Sequence, residues 1–331
     1  MTSKLVWVLA FVMLASPALA DCDPPPPAVA DIVATRPYGD KEGTVVDPEA
    51  EAQNRIDTKL LTDFLRAVTD EADRAWRHPG IPDADDAGRC AATWIAAWAK
   101  GNAWLGTMGS KQAEYQRKWD LAGVALAYLK VKPFATPEQR AVIEPWLIRF
   151  ADAARGFFDS AGYKRNNHWY WLGLGLGATG LATGSDKHWD MARGIAQDAA
   201  KDIAADGSLP LELARKSRAL QYHAFALAPL VALATLARSQ GEDFYAFENG
   251  ALDRLADLTA RGFADPAEFG KLAGEPQGDK TRPGSGWSQL YALHKPDSAA
   301  AKLAMPRNHR WFGGDVELLV RSLESGKTAK N

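Results

Sequence analysis

Gly173-Leu174-Gly175-Leu176-Gly177-Ala178-Thr179-Gly180 is the stretch whose reading decides the fold. Gly175, Gly177 and Gly180 spell a formal GxGxxG. That fingerprint binds dinucleotides only where a strand precedes it and a βαβ unit surrounds it, because its glycines make a tight turn that brings a pyrophosphate to a helix N-terminus. Here no strand precedes it and no βαβ pattern surrounds it. The glycines read instead as small residues that let helices approach closely, and the segment predicts a helix over 168–183.

Working outward, helical periodicity begins at Glu49, with Ile56, Leu60, Leu61, Phe64, Leu65 and Val68 on one face. Trp94 and Trp98 mark a second helix, and Tyr115, Trp119, Val124, Leu126 and Tyr128 a third. Further helices are expected at 137–158, 187–205, 212–239, 247–263, 285–294 and 314–324, with breaks at Pro133 and Asp206-Gly207-Ser208. No stretch alternates convincingly enough for a strand of consequence. A repeat of fixed period is missing, which favours a closed ring of helical hairpins over a solenoid. The expectation is one all-helical domain over 49–331.

The N-terminal part reads differently. Lys4, the apolar run Leu5–Leu14 and Ala18-Leu19-Ala20 form a signal-peptide pattern over 1–20, and Asp21 beside Cys22 argues against a lipoprotein. A proline-rich arm over 21–48, with Pro24 to Pro27, is expected to run extended, and its polar part Arg36–Asp47 to form a loop over a site. Export to an oxidising periplasm favours a Cys22–Cys90 bridge over two free thiols. With 39 basic and 41 acidic residues, composition makes no case for nucleic acid or a membrane surface, and an acidic ligand would need a local basic cluster.

Two clusters carry chemistry. The six histidines lack metal-ligand spacing, and His78, His188 and His294 read as structural. His168 sits in Lys164-Arg165-Asn166-Asn167-His168-Trp169-Tyr170-Trp171. Asn166 or Asn167 suits a helix cap, but cations beside aromatic rings are also what an anionic sugar chain needs. In the second cluster, Arg215, Arg218 and Tyr222 are spaced i, i+3, i+7, one face of a helix, with His223 adjoining. A solvated face would give the arginines equally well. A phenol beside guanidinium groups is expected to have its pKa lowered.

These clusters resemble the alginate lyase family, polysaccharide lyase family 5. The resemblance rests on Asn166-Asn167-His168 with Tyr170-Trp171, Leu209-Pro210-x-Glu212 and Arg218-Ala219-Leu220-x-Tyr222-His223. Arg117-Lys118-Trp119, Trp94, Trp98 and Gly313-Gly314 extend it over the mature chain. It implies an incomplete (α/α) toroid acting in the periplasm as a monomer on an anionic polysaccharide, without a metal or other cofactor. Carried over by position, Asn167 and Arg215 would mask the uronate carboxylate, and His168 and Tyr222 would move protons. Tyr115, Trp119, Lys164, Trp171, Arg218 and Arg310 would hold the chain in the cleft. The loop departs from the family's Ser-Lys-Tyr-Glu-Gly-Ser-Asp and reads Arg36-Pro37-Tyr38-Gly39-Asp40-Lys41-Glu42-Gly43, so Tyr38 and Lys41 are expected to set substrate breadth. Two competing readings are a glycoside hydrolase using Glu212 and Asp206, and a non-catalytic polyuronate-binding or export scaffold.

Overall fold

The computed structural model describes residues 22–41, 43–160, 162–278, 286–304 and 309–328; the expected signal peptide lies outside them. The described residues hold helices and three isolated bridges, with no strand. In chain order the helices are α1 (Pro48–Asp57), α2 (Lys59–Arg77), α3 (Pro82–Lys100), α4 (Lys111–Val131), α5 (Pro137–Ser160), α6 (Asn167–Thr183) and α7 (Asp186–Asp202). They continue as α8 (Pro210–Leu213), α9 (Ala219–Ser239), α10 (Ala251–Ala264), α11 (Pro266–Ala273), α12 (Trp287–Ala292) and α13 (Val316–Thr328).

The glycine-rich α6 is the hub of the fold, packed against α4, α5, α7 and α9. A Cβ on Gly173 would lie 2.7 Å from Ile195 of α7, one on Gly175 2.9 Å from Leu121 of α4, and one on Gly177 2.5 Å from Leu233 of α9. Each glycine therefore lets a different neighbour come within backbone range, as close packing of α6 requires. α4 and α9 are buried nearly all round. The outer helices α2, α3 and α7 bury one stripe each, such as Leu61, Phe64, Leu65 and Val68 on α2.

The arm is fastened to this body along its length. Cys22 and Cys90 form a disulfide with Cα atoms 5.5 Å apart. Trp94 Nε1 donates to Asp23 O (2.7 Å) and Trp98 Nε1 to Pro26 O (2.8 Å). Ile32 pairs with Met108 in a parallel bridge, and the Ser110 hydroxyl, which also caps α4, donates to Ala34 O. The loop that follows is folded on itself: Asp40 accepts from Thr44 N and Val45 N, and the Arg36 guanidinium binds the Tyr38 and Lys41 carbonyls.

One expected helix is interrupted. The stretch 212–239 is not continuous: α8 ends at Leu213, a 3₁₀ turn spans Lys216–Arg218 with Lys216 at φ +52°, and α9 starts at Ala219. Arg215 and Arg218 consequently precede the helix that carries Tyr222, and the break in the backbone, not a shared helical repeat, sets them beside it.

Candidate active site

A cleft of about 1480 Å³ opens along the ring, with the arm loop at its rim. Among the described residues, ten lysine and arginine side chains line it against one carboxylate, Asp63, which is itself paired with Lys59. A chain of net charge −2 thus concentrates positive charge in one concavity, the arrangement that draws in a polyanion.

One wall belongs to α4, where Lys111, Tyr115 and Trp119 repeat at i, i+4, i+8 and so face the cleft together. The Tyr115 ring stacks on His168 at 3.8 Å, and Trp119 lies 5.7 Å from the same imidazole and 4.9 Å from Trp311. Tyr115 Oη and Tyr163 Oη are 2.7 Å apart. His168 stands in the first turn of α6, whose N-cap is Asn166: its Oδ1 accepts from His168 N. Burial, reinforced by Lys118, Arg215 and Lys111, holds the imidazole well below its ordinary pKa, so it is neutral at physiological pH. Its Nδ1 has no hydrogen-bond partner among the described residues.

The facing wall comes from α8, α9 and the turn between them. Asn167 N and Nδ2 both donate to Glu212 Oε1, at 2.7 and 2.9 Å. The Arg215 guanidinium carbon lies 4.5 Å from the Tyr222 ring centre and that of Arg218 5.2 Å. Tyr222 Oη donates to Tyr38 Oη at 2.9 Å, and Arg218 reaches the Gly43 carbonyl at 3.2 Å, so the loop closes onto the phenol. The expected lowering of the Tyr222 pKa is overturned. Burial and the adjoining Tyr38 raise it, and outweigh the opposing pull of Arg218 and Arg215.

The molecule matches the alginate lyase family model over residues 31–269. A polysaccharide lyase of Stenotrophomonas maltophilia (strain K279a) is 42% identical over 319 residues, covering 95% of each chain. An alginate lyase of Azotobacter vinelandii (strain DJ) is 32% identical over 310 residues, covering 88% of this chain and 82% of the relative. The crystal structure of alginate lyase A1-III from Sphingomonas species A1 superposes with a TM-score of 0.75 at 26% identity, covering 89% and 85% of the two chains. The chain belongs to the alginate lyase family. It is a lyase acting on polysaccharides, built on the α/α toroid.

Within this alginate lyase family member, the structure brings most of the expected site residues to one cleft. Tyr38, Lys41, Tyr115, Trp119, Lys164, Asn167, His168, Arg215, Arg218, Tyr222 and Arg310 all line it. Trp171 does not: it is buried, donates through Nε1 to Phe225 O (3.1 Å) and packs on Phe225 and Phe312 behind the lining. Its neighbours Trp169 and Tyr170 serve structure as well, Trp169 under the Arg155 guanidinium and Tyr170 against Asp202. His223 is also remote from the chemistry, fully buried between Leu209 N and Ala219 O. The hydrolase pair fails on geometry, because Glu212 is sequestered against Asn167 and Asp206 accepts from Ser208 N as a turn residue.

Sequence reading missed Lys111, Tyr163, Trp311 and the wall formed by Arg55, Lys59 and Arg66. Lys111 had a signal, since it lies one turn before Tyr115. The cations of α1 and α2 looked like a solvated helix face, and nothing local tells that face from a cleft wall.

Proposed function

We propose that this lyase cleaves polyuronates, poly-β-D-mannuronate among them, by β-elimination, in the periplasm and as a monomer. The observation that carries the reading is the pairing, in one basic cleft, of a neutral imidazole with a protonated phenol flanked by two arginines. The disulfide supports an oxidising compartment.

In the elimination a base takes the C5 proton, the C5–H electron pair becomes the C4=C5 double bond, and the C4–O4 bond breaks as O4 takes up a proton. The C5 proton is weakly acidic until the neighbouring carboxylate is masked and the enolate-like intermediate is held by fixed donors. Asn167 Nδ2 and Arg215 supply that masking. Tyr222 begins as the acid form and His168 as the base form. In mannuronate the C5 hydrogen and O4 lie on the same side, so Tyr222 serves both proton steps and first gives its own proton away. His168, its pKa depressed by burial and by Lys118, Arg215 and Lys111, takes it only when the substrate carboxylate offsets those cations, while Arg218 and Arg215 favour the phenolate left behind. Tyr115, Trp119, Lys164, Arg218 and Arg310 hold the chain, and Tyr38 and Lys41 close over it.

Tyr222→Phe tests the assignment through the ultraviolet absorbance of the unsaturated product. Turnover on mannuronan is expected to fall on the order of 10²–10⁴-fold with KM nearly unchanged. Near-normal turnover would refute the role. Equal rates of wild type on guluronan, whose C5 hydrogen lies opposite O4, would show that Tyr222 alone cannot run both steps.

A further inference from the structure

The Leu209-Pro210-x-Glu212 motif has no part in the proton chemistry, yet Glu212 is 1% exposed and its ionised form is costly to bury. Its two oxygens face different partners. Oε1 accepts from both Asn167 N and Asn167 Nδ2, while Oε2 lies 3.8 Å from Arg215 Nε and has no hydrogen-bond partner among the described residues. Capping of α6 accounts for the bond to Asn167 N. It accounts for neither the bond to Nδ2 nor the approach to Arg215.

We propose that Glu212 is a positioning residue, its buried carboxylate fixing Asn167 and Arg215, the two groups that meet the substrate carboxylate. This rests on the roles given to those two residues above. A carboxylate can only accept hydrogen bonds, so Asn167 must turn Nδ2 toward it, and the second hydrogen of that nitrogen is left for a ligand. The same carboxylate draws the Arg215 guanidinium from the other side. Glu212 is itself held rigidly: Pro210 opens its one-turn helix, Glu212 N donates to Leu209 O (2.9 Å), and Leu209 N donates to His223 Nε2 (2.9 Å). His223 adjoins Tyr222 on α9, so one backbone frame sets the carboxylate-masking pair relative to the phenol. Misplacing a reacting group by about 1 Å costs on the order of 10²-fold in rate, which is the scale of effect a lost positioning group produces.

Glu212→Gln separates the two contacts, because Gln Oε1 keeps both Asn167 bonds while Nε2 replaces the oxygen that faces Arg215. Turnover on mannuronan is expected to fall about 10–100-fold with an unchanged melting temperature. In a double-mutant cycle with Arg215→Ala, the Glu212→Gln loss is expected to vanish, since the residue acts through Arg215. Losses that multiply independently, or normal turnover of Glu212→Gln beside a crippled Arg215→Ala, overturn the proposal. Should Glu212→Gln not fold, Glu212→Asp, which keeps the charge but withdraws it by one methylene, carries the same cycle. If Asn167→Ala and Arg215→Ala both turn over like wild type, the site assignment falls first and this proposal with it, a result distinct from failure of the Glu212 coupling alone.

Discussion

Replacing His223 with glutamine isolates one buried titration in the frame behind the active site. The imidazole is fully buried, with Nδ1 2.7 Å from the Ala219 carbonyl and Nε2 2.9 Å from Leu209 N. A carbonyl only accepts, so Nδ1 carries the hydrogen; the backbone N–H only donates, so Nε2 must be bare. The edge of Phe269 closes another side, and Asp206 is the charged group within reach. Burial, partly offset by Ala219 and Asp206, brings the pKa down to about 4 from the ordinary 6.5. Above pH 6.5 neither folded nor unfolded chain protonates this histidine, and stability is at its full value. As pH falls through the interval between the two pKa values, the unfolded chain takes up a proton that the folded chain refuses. A tenfold difference in proton affinity between the two states corresponds to about 1.4 kcal/mol, so roughly 3 kcal/mol is lost by about pH 4, with no further loss below. Other groups also titrate there, and the variant removes their contribution by difference. Denaturant unfolding followed by circular dichroism at pH 7, 5.5 and 4 should show the stability gap between wild type and His223→Gln narrowing by about 3 kcal/mol. A gap that stays constant with pH would refute the neutral, doubly occupied imidazole.

Three further outcomes are expected. Mass spectrometry of the non-reduced mature protein should find Cys22 and Cys90 joined, and reduction should cost about 2–4 kcal/mol; two freely alkylated thiols would contradict this. Combined Tyr38→Ala and Lys41→Ala should alter relative rates among mannuronan, glucuronan and hyaluronan while leaving the melting temperature in place, whereas equal losses on every substrate would make the loop generic. Trp171→Ala should destabilise by about 3–5 kcal/mol, as large-to-small core changes do, while the milder Trp171→Phe should leave KM unchanged. A raised KM in Trp171→Phe would return that residue to the substrate.

The elements that were legible in the sequence are those whose packing is set by their own pattern. The glycines of α6 announced close approach because nothing else suits four small residues in an apolar helix, and the stripe on α2 announced its buried face. The break before α9 left no such mark. The polar run Arg215-Lys216-Ser217-Arg218 that crosses it reads equally well as a solvated helix face, and neither glycine nor proline interrupts 211–219. The backbone turns there because Gln277, far along the chain, accepts from Leu220 N and donates to Lys216 O, both at 2.9 Å. A contact between positions some sixty residues apart has no local signature. The same limit governed the site. Asn167, His168 and Tyr222 stood out because polar and titratable groups in an apolar helical setting require a reason to be there. Their protonation states were not legible, since the sign of a pKa shift depends on which groups share the cavity and how dry it is. Arginine neighbours argued for an acidic Tyr222 phenol, but the ring is 7% exposed and its hydroxyl meets Tyr38, brought from the arm. Desolvation then exceeds the pull of two cations that lie over the face of the ring, and the phenol keeps its proton. That reversal assigns the arginines a different task. Cations placed beside a phenol without ionising it are positioned to meet the charge that arrives with the substrate.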